Sequence, residues 1–210
     1  MSAPFAQITQ GPATATGNNP NKQALIFDRQ NNIVESVGDA GVAASLQAAL
    51  TVIPFQTALT AITTLQMLVN YSLNAGVLNK QGRTLEVSGQ IIFTVATGTP
   101  TMAISLGLGT TTLCTITSGA LQAGTNLPCT FTFAITTAST GAAGTMESHG
   151  LLTVQLGATP PVAVTQYLDT NVAVSSAVAL NTALSLVVGI TGSTAIASAQ
   201  LRQFILQLLN

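Results

Sequence analysis

The stretch Thr84-Leu85-Glu86-Val87-Ser88-Gly89-Gln90-Ile91-Ile92-Phe93-Thr94-Val95 decides the fold. Side chains alternate across an extended chain, so Leu85, Val87, Gly89, Ile91, Phe93 and Val95 share one side. Thr84, Glu86, Ser88, Gln90 and Thr94 take the other. The same period recurs downstream. Met102, Ile104, Leu106 and Leu108 alternate with Ala103, Ser105 and Gly107. Cys129, Phe131, Phe133 and Ile135 alternate with Thr130, Thr132, Ala134 and Thr136. Ser148, Gly150, Leu152, Val154 and Leu156 form another inward set, followed by Leu184, Leu186, Val188 and Ile190, then Phe204, Leu206 and Leu208. Turn chemistry separates these runs: Lys80-Gln81-Gly82, Thr97-Gly98-Thr99-Pro100, Gly124-Thr125-Asn126, Gly141-Ala142-Ala143-Gly144, Pro160-Pro161, Asp169-Thr170-Asn171 and Gly192-Ser193. Short strands at even spacing without a helical pattern predict an all-β antiparallel β-sandwich, with a jelly roll as first choice and an Ig-like sandwich as second.

Upstream the signal changes. Residues 1–23 carry Pro, Gly, Asn and Thr without a period and read as an extended N-terminal arm with no core of its own. Ala24-Leu25-Ile26-Phe27 and Ile33-Val34-Glu35-Ser36-Val37 flank the polar turn Arg29-Gln30-Asn31-Asn32, which predicts a short hairpin. Leu46, Leu50 and Ile53 suit one helical face that Pro54 ends, so a short helix is expected near 41–51 and strands after it. The chain therefore divides into an arm, hairpin and linking segment over 1–65 and a sandwich over 66–210.

Charge is the anomaly. Only 5% of the 210 residues are charged, against ~25% in an ordinary soluble domain. Lys22, Asp28, Arg29, Glu35 and Asp39 crowd into the upstream segment, and no charge falls between Glu86 and Glu147. Disorder does not account for this, because 47% of residues are hydrophobic. Thr, Ser, Gln or Asn interrupts every apolar run before the ~18 residues that a membrane helix needs. An outer-membrane barrel expects an aromatic girdle, yet the chain has no Trp and two Tyr. No basic segment followed by an apolar one opens the chain, so synthesis is expected in the cytoplasm without export. The five basic residues are scattered, which argues against nucleic acid as a partner.

The residues that could carry chemistry are few. Glu147 and His149 share a strand face, where a carboxylate can orient an imidazole, and Asp169 is the remaining acid–base candidate. The alternative is a solvated polar pair on the outer face. No nucleophile stands at a recognisable spacing, which favours that alternative and a non-enzymatic chain. One His and two cysteines fifteen residues apart match no zinc spacing, so neither metal nor cofactor is expected. Cys114 and Cys129 are read as free thiols, with a cross-strand bridge as the other possibility. Gly107-Leu108-Gly109 lacks the third glycine and following helix of a dinucleotide loop, and Phe131 and Phe133 read as core.

Tyr71-Ser-Leu-Asn-Ala-Gly-Val-Leu-Asn79 followed by Lys80-Gln-Gly-Arg83-Thr-Leu-Glu-Val87 resembles a recurring pattern in small tailed-phage and prophage virion proteins. Thr125-Asn126-Leu127-Pro128, the run Thr140-Gly141 to Gly150, and the ending Arg202-Gln203-Phe204-Ile205-Leu206-Gln207-Leu208 are similar to the same group. The resemblance spans roughly residues 66–210. It implies a sandwich, often jelly-roll-like, that trimerises on the phage head or at a tail fibre or baseplate tip. It offers no catalytic residue.

Uncharged outer faces of Thr, Ser, Gln and Ala lack the Lys and Glu that keep exposed strands apart, so permanent partners should cover them. Hiding ~1,000 Å² of apolar surface at ~25 cal/mol per Å² yields ~25 kcal/mol before association costs. The expected function is that of a capsid decoration (cement) protein: a homotrimer bound to the major capsid protein in the virion, with no nucleic acid or membrane partner. Phe5, Ile8, Pro12, Phe27 and Arg29 are the expected shell contacts, with the arm ordering on the shell. A receptor-binding fibre or baseplate tip is the competing expectation.

Overall fold

The alternation between Thr84 and Val95 is realised as a single strand of 12 residues in a computed structural model of the chain. The structure describes strand backbone within 24–28, 33–37, 43–45 and 48–53, and residues 57–158, 164–169, 177–194 and 196–209. Four strands lie upstream: β1 (Ala24–Asp28), β2 (Ile33–Val37), β3 (Ala43–Ser45) and β4 (Ala48–Ile53). Then come β5 (Leu59–Ile62), β6 (Gln66–Leu73), β7 (Thr84–Val95), β8 (Met102–Leu108) and β9 (Thr111–Thr117). The chain continues through β10 (Gly124–Ser139), β11 (Thr145–Gln155), β12 (Val164–Leu168), β13 (Leu184–Gly192) and β14 (Ile196–Leu209).

All pairings are antiparallel, and among the described residues there is no helix. The larger sheet runs β12-β11-β10-β7-β14-β4, and β5 joins the same edge of β14 as β4. The smaller sheet of the sandwich runs β6-β13-β8-β9, and β1-β2-β3 form a separate three-stranded sheet. From β5 onward the chain passes back and forth between the two sheets, and the larger one gains β11 and β12 as a hairpin extension beyond β10. The sheets face each other across one core, so the expected antiparallel sandwich is present.

The inward sets read from the sequence supply that core. Leu85, Val87, Ile91 and Phe93 on β7 meet Phe131, Phe133 and Ile135 on β10, Leu152 and Val154 on β11, and Leu201, Phe204 and Leu206 on β14. Met102, Ile104, Leu106, Leu186, Val188 and Ile190 close it from the smaller sheet. Phe131 and Phe133 lie two apart on one face, with ring centroids 5.7 Å apart and planes tilted by 43°. Gly89 sits in register between Phe131 and Phe204, and the Phe131 ring fills the space its missing side chain leaves.

The hairpin expected over 24–37 exists as β1 and β2, paired from Ala24↔Val37 to Asp28↔Ile33. The helix expected near 41–51 does not form: that stretch holds β3 and β4 instead. The physical reason is tertiary. Leu50-Thr51-Val52-Ile53 is rich in β-branched residues, and β4 hydrogen-bonds along Phe204–Leu208 of β14, which outweighs a weak helical period. β4 and β5 lie in the stretch expected to link the arm to the sandwich, and both extend the larger sheet. Gly124-Thr125-Asn126, expected as a separator, opens β10 through a bulge in which Asn126 has φ 56°.

Candidate interaction surface

With the apolar sets turned inward, the outer faces carry what remains. On the larger sheet these are Thr84, Glu86, Ser88 and Gln90 of β7, Thr130, Thr132 and Ala134 of β10, and Glu147, His149 and Leu151 of β11. On the smaller sheet they are Ala103, Ser105 and Gly107 of β8, Thr115 and Thr117 of β9, and Val187 and Thr191 of β13. None of β6, β8, β9 and β13 contains an acidic, basic or His residue.

Four of the six downstream charges cluster, Asp169 and Arg202 lying elsewhere. Lys80 and Arg83 lie in the connection from β6 to β7, Glu86 near the start of β7, and Glu147 near the start of β11, so all four gather at one end of the sandwich. Backbone and side-chain hydrogen bonds knit this end. Gly82, with φ 76°, donates its N–H to the Thr137 carbonyl at 2.8 Å, a left-handed position that glycine adopts without strain. Arg83 Nη1 donates to the Val77 carbonyl at 2.9 Å, and the Thr137 hydroxyl donates to the Leu78 carbonyl at 2.8 Å.

The opposite end is uncharged throughout its described loops, 63–65, 96–101, 118–123 and 193–194. They are tied to one another: Ser193 N–H donates to Thr101 O at 3.0 Å, Thr101 N–H to Ser193 Oγ at 2.9 Å, and Leu121 N–H to Pro100 O at 2.7 Å. Leu65 and Met67 stand at this end, 62% and 58% exposed, beside the smaller sheet. Val164 and Leu168 are exposed along the edge strand β12. A shallow groove of about 350 Å³ crosses the larger sheet between Ser88, Gln90, Thr130, Thr132, Gln203 and Ile205. It runs past the β14 bulge between Leu201 and Gln203.

The acid–base candidates are not assembled. Glu147 and His149 are exposed on the outer face, as expected for a solvated pair. Asp169 turns elsewhere: Cys114 Sγ, on the opposite sheet, donates to its Oδ2 at 2.8 Å, and its own N–H donates to Gly150 O at 3.0 Å. Ser148, between the two outward residues, points inward and donates to Leu113 O at 2.7 Å. These contacts join β11 and the end of β12 to β9 across the open side of the sandwich, a link that sequence reading did not find.

Both cysteines are buried and free. Burial pushes the Cys129 thiol up to about 12. Burial, and then the hydrogen bond and negative charge of Asp169, raise Cys114 well above the usual thiol range. Neither is a nucleophile at neutral pH. Among the described residues no three His, Cys, Asp or Glu side chains gather as metal ligands, and no helix is long and apolar enough to cross a membrane. Phe5, Ile8, Pro12 and Arg29 lie outside the described residues. Phe27 is placed by its backbone alone, opposite Val34 in the β1–β2 pair. Comparison of the chain with protein-family models, with curated proteins and with solved structures finds no match.

Proposed function

We propose that this chain is a non-enzymatic structural subunit of a tailed-phage particle, a decoration (cement) protein that associates as a homotrimer and binds the major capsid protein on the outside of the head. The observation that carries the reading is the distribution of charge: an entire sheet of the sandwich, and one of its ends, present only Thr, Ser, Ala, Gly, Gln, Asn and apolar side chains. A free monomer gains nothing from such a surface, whereas a subunit covered by neighbours loses no charge solvation on assembly. The strand order adds support. Leaving aside β4, the order β5-β14-β7-β10 in one sheet and β6-β13-β8-β9 in the other is compatible with an eight-stranded jelly roll in which β11 and β12 are an insertion. That architecture is widespread in viral capsid proteins. The resemblance carried by Tyr71–Val87 and Arg202–Leu208 points the same way.

A cement subunit adds binding free energy only to the assembled shell, so its removal should weaken filled heads and leave infection chemistry intact. Attachment by burial and backbone hydrogen bonds should also resist salt, unlike an ion-pair interface. The test is to strip or delete the protein, then compare DNA release on heating or osmotic shock with adsorption to host cells. Earlier DNA release with normal adsorption is the expected result. Unchanged head stability with lost adsorption overturns the reading. That outcome would favour a receptor-binding tip.

A further inference from the structure

We propose that the outer face of the four-stranded sheet, continued over the uncharged end beside Leu65 and Met67, is the surface on which a second copy of this chain docks. The proposal rests on the self-association put forward above and names the surface responsible.

Charge identifies the occupant. When copies of one chain gather around a symmetry axis, a charged side chain near that axis meets its own like, and the repulsion grows as water leaves. β6, β8, β9 and β13 avoid this completely, because none contains a charged residue. The other sheet is unsuited to such a contact, since Glu86, Glu147 and His149 stand on its outer face. A foreign partner steered by complementary charge finds no counterpart on the four-stranded face. It is self-compatible and otherwise unselective.

Size and relief fit as well. Four strands ~4.8 Å apart, with seven to nine residues rising ~3.4 Å each, make a footprint of ~500 Å². The adjoining loops 63–65, 96–101 and 193–194 extend it toward the ~800 Å² per partner of a stable interface. The face is low, built of Ala103, Ser105, Gly107 and Gly189, with one prominence. A Cβ on Gly189 would lie 2.5 Å from Leu65 Cδ1, so the glycine gives the Leu65 side chain a seat on the sheet. Leu65 is thus positioned before any partner arrives yet remains 62% exposed, the condition of an interface anchor whose ordering cost is already met.

The experiment uses the full chain, with mass photometry and sedimentation velocity at fixed concentrations. Thr115→Lys on β9 and Asn70→Lys on β6 place a cation on the face at exposed positions, and Leu65→Ala removes the prominence. Thr130→Lys places the same charge on the other sheet. Thermal midpoints confirm that each variant is folded, and either lysine variant suffices if the other is not. The expected result is an oligomeric wild type, at least ~10-fold weaker association for each face variant, and an unchanged Thr130→Lys control. Folded face variants that associate like wild type, or dissociation caused by Thr130→Lys, would overturn the assignment of the face while leaving self-association standing. A monomeric wild type at micromolar concentration would overturn both.

Discussion

Gly89→Ala is the smallest change that tests how the two halves of the larger sheet are locked together. Gly89 pairs with Phe131 on one side and Phe204 on the other. A methyl group there would lie 2.7 Å from Phe131 Cε1, closer still to Cζ, and 2.9 Å from the Gln203 carbonyl oxygen. Neither neighbour yields easily. The Phe131 ring is 1% exposed and rests against Phe133, and the Gln203 carbonyl belongs to a strand held by ladder hydrogen bonds. Overpacking of this kind costs about 1–3 kcal/mol. Contacts all under 3.0 Å place the cost in the upper half of that range, about 2–3 kcal/mol. Replacing glycine by alanine in a strand returns about 0.5–1 kcal/mol of unfolded-state entropy, so a net loss of about 1–2.5 kcal/mol is expected. For a chain of this size each kcal/mol moves the midpoint by about 2–4 °C. Scanning calorimetry at fixed protein concentration should therefore show a fall of about 2–10 °C. Combining Gly89→Ala with Phe131→Leu should cost less than the sum of the single changes, because the shorter side chain vacates the contested space. An unchanged or raised midpoint for Gly89→Ala, or strict additivity in the double variant, would refute this account of the contact.

Three further outcomes are expected. Phe133→Ala empties a fully buried site beside Phe131 and should lower unfolding free energy by about 3–5 kcal/mol in denaturant titration. Ser148→Ala leaves the Leu113 carbonyl without its 2.7 Å donor and should cost about 1–3 kcal/mol, measured the same way, with hydrogen exchange rising locally in β9 and β11. The Cys129 thiol is raised to about 12 when folded, so the unfolded chain releases its proton first; the stabilisation it contributes is complete below the unfolded thiol range and drains away as pH climbs toward 12. Cys129→Ala should flatten that decline relative to wild type, and an identical slope in the two proteins would contradict the assignment.

Strands were legible where burial is one-sided. On β7, β8 and β10 the inward positions are mostly apolar and the residues between, Ile92 excepted, are small or polar, so local pattern and tertiary position agree. β9 escaped notice because Thr111-Thr112-Leu113-Cys114-Thr115-Ile116-Thr117 has only Cys114 and Ile116 fully turned inward, and a bulge near Leu113 breaks the period. β12 was hidden by inversion: on this edge strand Val164 and Leu168 face outward while Thr165 and Tyr167 are partly covered. The 41–51 stretch carries a helical period with no local trace of its pairing, because its partner, β14, lies far along the chain. For the surface, the paucity of charge was visible in the composition. Its confinement to one end and one sheet was not, since that depends on which strand ends the fold brings together. The contact from Cys114 to Asp169 spans 55 positions and leaves no local trace.

The position of β14 also sets the order of events during synthesis. This strand lies inside the larger sheet, with β7 on one flank and β4 and β5 on the other, yet it begins at Ile196, long after β7 has ended at Val95. Until it emerges from the ribosome, β7 and β5 present unpaired edges rich in Ile, Val and Thr, and the inner faces of Phe93 and Phe131 lack their cover. A nascent chain in this state is exposed to premature pairing with its neighbours on the same message. Closure over such long sequence separations is also slow. Insertion of β14 therefore separates an aggregation-prone precursor from the closed sandwich, and the yield of soluble protein should depend on temperature and translation rate more than on the stability of the finished fold.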